Sequence, residues 1–142
     1  MKCMVFMKAN ADSEAGVLPG EQVLSAMGDF NEQLNQAGIL LSGEGLKPSS
    51  EGVRLAFSGD GRVLTSDGPF AETKEIVAGY WLWEVPNMDA AVEWASRIPN
   101  PEGDSFEVEI RPLYTAEDFG ETFTQELRDQ EERLRQKLTD RH

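Results

Sequence analysis

Nine consecutive residues, Asp67-Gly68-Pro69-Phe70-Ala71-Glu72-Thr73-Lys74-Glu75, gather a carboxylate, a Gly-Pro kink, an aromatic ring, a hydroxyl and a Lys-Glu pair. A carboxyl group held against an apolar side chain such as Phe70 loses solvation in its charged form, so its pKa rises and it can exchange protons near neutrality. On that reading Asp67 is the candidate acid/base group and Lys74 orients an anionic substrate. Glu44, Phe70, Lys74 and Tyr80 are then the candidate ligand-binding residues. A second reading has the Asp67 carboxylate accepting hydrogen bonds from backbone amides of a tight Asp-Gly-Pro turn. The sequence leaves both open.

Other residues carry less chemistry. Cys3 lies in an apolar run with no histidine placed to activate it, so packing is expected of it rather than reaction. Glu44, Asp67, Glu72 and Glu75 lack the fixed spacing of a cation site, and a solvated acidic face accounts for them; no metal and no other cofactor is predicted. No glycine-rich loop has the spacing that cradles phosphates. Trp81 and Trp83, two residues apart on a strand, share one face; core or dimer interface is the first expectation and an aromatic-lined pocket the second.

The elements that must position these residues follow from periodicity. Lys2 to Met7 is apolar on both faces, as an interior strand would be. A polar loop from Asn10 to Gly16 leads to Pro19 and a helix with Val23, Met27, Phe30, Leu34 and Ala37 on one face, closed by Gly38. Ile39 to Leu41 reads as a short strand leaving through a turn at Ser42 to Gly45. Val53, Leu55 and Phe57 alternate and pair through Ser58 to Gly61 with Arg62 to Thr65 as a hairpin. Val77 to Val85 is a longer strand, and Asn87 caps a second helix running to about Ile98. Phe106, Val108 and Ile110 alternate with charged residues as a last strand. From Thr115 to His142, Phe119, Phe123, Leu127, Leu134 and Leu138 predict one more helix with a narrow apolar seam, packed on the domain or on a partner subunit. Two βαβ-like units joined by an inserted hairpin make an α+β, ferredoxin-like order.

Composition sets the remaining limits. A chain of 142 residues is the size of one domain. Twenty-six acidic against thirteen basic residues give a net charge of −13, which repels nucleic acid and anionic bilayers. No run is long and apolar enough for a membrane span, and one cysteine forms no internal disulfide. The expected compartment is the cytoplasm, with no nucleic-acid or membrane partner.

Asp67 to Glu75 closely resembles the signature of the DGPF proteins, a branch of the YCII-related superfamily. The resemblance extends over about the first 113 residues, through Gly38-Ile39-Leu40, Gly43-Glu44-Gly45-Leu46, Gly79-Tyr80, Glu93-Trp94-Ala95 and Val108 to Pro112. It implies a YCII-related domain over residues 1–113 with a helical extension over 114–142, a ferredoxin-like or dimeric α/β-barrel fold, and a homodimer. In YCII relatives a His-Asp pair is the proposed acid/base dyad, and one branch performs a dehydrochlorination. Here the lone histidine is His142, and the first helix, where such a His would be expected, offers Met27, Asp29, Asn31 and Glu32 instead, so the dyad does not carry over. DGPF proteins also resemble accessory partners of extracytoplasmic-function sigma factors, which implies a regulatory association. Two functions follow: a non-catalytic small-molecule-binding or regulatory dimer, or a lyase- or hydrolase-like enzyme using Asp67 on a small organic substrate.

Overall fold

A computed structural model describes residues 1–141; His142 lies outside them. One compact unit covers Met1–Pro112 and a second begins at Leu113.

In the first unit, β1 (Lys2–Lys8) occupies an inner position of a four-stranded sheet; Cys3 and Val5 on one of its faces are buried, while Met4 and Phe6 on the other are half-buried rather than covered, as an interior strand covered on both sides would have them. It pairs antiparallel with β5 (Val77–Glu84) on one side and β6 (Val108–Pro112) on the other, and β2 (Leu40–Gly45) adds to the far edge of β5. The order β2-β5-β1-β6, with every neighbouring pair antiparallel, is the ferredoxin-like arrangement expected from the element sequence. Helix α2 (Glu21–Gln36) and helix α3 (Met88–Ala95) cover one face. Phe30 and Leu34 from α2 and Ala91 from α3 close over Cys3, Val5, Trp81, Trp83 and Val85. Phe30 meets both indoles edge-on, at centroid distances of 5.8 and 6.4 Å, the geometry that aromatic quadrupoles favour.

The ends of the helices follow the local chemistry. Gly38 adopts φ +74° after α2, its N–H donates to Asn35 O at 3.0 Å, and Ile39 N–H donates to Leu34 O at 2.9 Å, a Schellman cap. Asn87 Oδ1 accepts from Ala90 N–H at 2.9 Å, as read from the sequence, although α3 ends at Ala95 rather than Ile98.

Three further expectations are revised. Ser42 to Gly45 is strand, not turn: Gly43 pairs with Trp81, and a Cβ there would stand 2.7 Å from the indole Cδ1, so glycine lets the edge strand pass beneath the ring. The Asn10–Gly16 loop holds a one-turn helix, α1 (Ala11–Glu14), because Asn10 and Ser13 form a reciprocal capping box. The tail is two elements. A 3-10 segment (Ala116–Thr122) kinks at Gly120, φ +61°, and α4 (Gln125–Arg141) follows. Tyr114, Phe119 and Phe123 pack ring to ring, tilted, in and around the first of these, so only Leu127, Leu134 and Leu138 remain as the helical seam.

The inserted hairpin, β3 (Val53–Phe57) and β4 (Val63–Asp67), forms a separate two-stranded sheet. At its turn Asp60 accepts from the Ser58 hydroxyl and from Arg62 N–H at 3.1 Å, and these bonds hold its carboxyl below the usual range. Its contribution to the turn is therefore complete above the ordinary Asp value of about 3.9 and fades as pH falls through the lowered one. The Arg62 amide resonance should titrate with a midpoint below about 3.9; a midpoint at or above it removes this account.

Burial excludes water from Cys3 and raises its thiol pKa, with the N-terminal ammonium acting in the opposite sense. Native protein should react with an aromatic disulfide reagent only as fast as it unfolds, and completely in denaturant. Rapid labelling of the native state would show that Cys3 is accessible.

Candidate functional site

Below the edge strand, α1, the turn after it and the first half of α2 stand away from the sheet and leave a cleft of about 450 Å³. This is within the range of small-molecule sites. Val23 and Met27, on the apolar face of α2, line this cleft together with Leu24, Val17, Leu18 and Met7, and Met27 and Met7 also pack against the core. The backbone of Gly43, Gly45, Ala78 and Gly79 forms the opposite wall. Trp81 closes the inner end, its Nε1–H donating to Asn31 Oδ1 at 2.8 Å, which fixes the ring's orientation.

The polar lining has one sign. Asp12, Glu44, Glu102 and Asp104 border the cleft, no Lys or Arg does, and none of these four carboxylates belongs to an ion pair among the described residues. Strand alternation sends the Glu44 and Tyr80 side chains to the face opposite Trp81, where the two are register partners and Tyr80 is also opposite Phe6. They meet the cleft at its sheet edge.

The candidate residues thus fall in three places. Glu44 and Tyr80 adjoin the cleft. Lys74 lines a separate depression of about 380 Å³ with Lys8, Thr73 and Ser105. Asp67 ends β4 opposite Val53, exposed, and its carboxylate accepts no hydrogen bond among the described residues. Phe70 is half-buried beneath the Arg54 guanidinium, which stands 3.7 Å from its ring centroid.

The signature makes its contacts through the backbone. Gly68 packs against the 3-10 turn Ser49–Glu51, where a Cβ would come within 1.7 Å of Ser49 O, and its N–H donates to Gly52 O at 3.0 Å. The Gly68-Pro69 bond is cis. Phe70 N–H donates to Ser49 Oγ at 3.0 Å, while Ser49 N–H donates to Glu14 Oε1 at 2.9 Å and its hydroxyl to Glu14 Oε2. Ser49 is the one polar residue among the buried ones described. Glu14 and Ser49 gave no sequence signal, because their partners lie 35 positions apart.

The YCII-related domain matches residues 1–114 of the chain. The chain belongs to the YCII-related family. An uncharacterised protein of Rhizobium meliloti (strain 1021) is 31% identical over 93 residues, which cover 66% of this chain and 74% of that one. Within this YCII-related domain no described helix is long and apolar enough to cross a membrane.

Gly68→Ala should destabilise the domain by about 1–3 kcal/mol, the usual range for overpacking, because the nearest atom is backbone and cannot step aside. Asn31→Ala, which strips Trp81 Nε1 of its acceptor, should cost about 1–3 kcal/mol. Denaturant midpoints at unchanged slope measure both, and wild-type midpoints would contradict the packing described.

Proposed function

We propose that this YCII-related protein is a non-catalytic binding domain, whose cleft takes a small apolar molecule that is neutral or positively charged. The observation that carries the reading is the lining: aliphatic and sulfur side chains over most of the surface, acids at its border and no basic group. An anionic ligand would meet four like charges and no cation there, in a chain already at −13. The protein acts as a homodimer. Support comes from the sheet face away from the helices, where Met4, Phe6 and Leu82 are half-buried in the single chain, and from Val53, Leu55 and Phe57, which share one exposed face of the hairpin.

A second reading keeps Asp67 as an acid/base group. Its carboxylate has no hydrogen bond among the described residues to occupy it, and it shares the apolar hairpin face with Val53, so covering that face would desolvate it.

A thermal-shift panel of aromatic amines and phenols against matched carboxylic acids separates these readings. A ligand at a hundred times its Kd adds about 2.7 kcal/mol, a shift of several degrees. Amines or phenols should stabilise the protein and the acids should not. Gly45→Phe should abolish the shift while leaving the fold intact, because a Cβ at Gly45 meets nothing within 4 Å and the ring projects into the cleft. Asp67→Asn should preserve the shift. Stabilisation by acids alone, or a full response in Gly45→Phe, would remove the cleft reading; loss of the response in a folded Asp67→Asn protein would favour the second.

A further inference from the structure

We propose that the Asp67–Phe70 signature is a brace that sets the position of the cleft's outer wall, acting through Ser49 and Glu14. The argument starts from α1, which forms that wall with the turn after it. A helix of four residues has no stability of its own, and none of the residues of α1 is buried. The Asn10 capping box fixes its local shape but not its place. What anchors α1 to the rest of the unit is Glu14, both of whose carboxylate oxygens are taken by Ser49.

Ser49 is placed in turn by the signature. Phe70 N–H occupies the remaining side of its hydroxyl, Gly68 N–H ties to Gly52 at the other end of the same turn, and the absence of a side chain at Gly68 allows that backbone contact. Arg54 over the Phe70 ring joins the hairpin to the assembly. The links run without a gap from Gly68 and Phe70 to Ser49, to Glu14, and so to Asp12 and Ser13, which line the cleft. On this account the signature's glycine and the amide of its phenylalanine are positioning groups. Their sequence is constrained by a close approach and a donor direction, not by a reaction. The proposal goes beyond the binding role of the cleft, and its first readout is independent of that role.

The experiment is native-state hydrogen exchange on the full chain, with Ser49→Ala and Glu14→Ala compared with Val85→Ala, a core truncation at a residue outside the cleft and the brace. The reporters are the amides of Glu14, at the end of α1, and of Ala15, Gly16 and Val17 just after it, which donate to Asn10, Ala11, Ser13 and Asp12. Both brace variants should raise exchange at these four amides by about tenfold or more, while the β1 and β5 amides change only as far as global stability does. The double variant should be no worse than the worse single, because the two residues form one link. Val85→Ala should leave the four amides following the core. N-phenyl-1-naphthylamine, a neutral fluorescent amine, should bind the wild type and Val85→Ala alike and the brace variants more weakly. Should Ser49→Ala fail to fold, Glu14→Gln, which keeps one acceptor oxygen, is read the same way with a smaller effect. Exchange that rises evenly over the domain, or additive effects in the double variant, overturns the brace. So does loosening of α1 in which probe binding is lost no more than in Val85→Ala. If the probe binds none of the proteins, the cleft reading loses its support, while the exchange pattern still decides the brace.

Discussion

Trp81 is the side chain on which the arrangement of this domain turns. Its ring packs 5.8 Å from Phe30 and 5.8 Å from Trp83, which commits it to the core. Its Nε1–H is committed to Asn31 on α2, and its Cδ1 edge lies over Gly43 on the edge strand. One indole therefore ties α2 to the sheet and ends the cleft, and the bare Gly43 lets β2 pair beneath it. Trp83, two residues on, is wholly buried and its Nε1–H has no acceptor among the described residues. The same residue type thus serves two purposes on one strand face, and the difference is whether a polar partner stands within reach.

Much of this was legible in the sequence. Strand alternation and helical periodicity located the four sheet strands, the two covering helices and the inserted hairpin, because those patterns record which face is buried. They could not show that the apolar face of α2 changes duty along its length. Phe30 and Leu34 are buried in the core, Met27 packs against it while also lining the cleft, and Val23 lines the cleft, all at the same period. The Ser42-Gly43-Glu44-Gly45 run was misread for a related reason. Glycine marks turns, but it also marks strands that another side chain crosses, and only Trp81, nearly forty positions away, distinguishes the two. In the tail, apolar spacing continued across a bend that the left-handed Gly120 imposes.

The signature segment was the most conspicuous feature of the sequence, and its residues separate in space. Asp67, Phe70 and Lys74 suggested one site because they are close along the chain. Their surroundings differ: an exposed strand end, the underside of a guanidinium, and a depression shared with Lys8. What the segment does hold together is backbone. Amides and a missing Cβ engage Ser49, and Ser49 engages Glu14, none of which a reading by side-chain chemistry would weigh.

This has a bearing on how charge is distributed. The residues that border the cleft supply four acids and no base, whereas Lys8 and Lys74 are gathered in the other depression, where Lys8 also pairs with Glu109 at 3.4 Å. Glu109 is held below the usual carboxylate range chiefly by its bond to Arg111 and then by Lys8, so that region keeps its charges in balance while the cleft does not. Carboxylates without ion-pair partners at the edge of an apolar recess attract a donor or a cation, although all four are exposed and solvent screens that attraction. For an organic anion the same carboxylates add repulsion. The sign of the charge at the cleft is set by where α1 and the Glu102–Asp104 loop stand relative to the sheet edge.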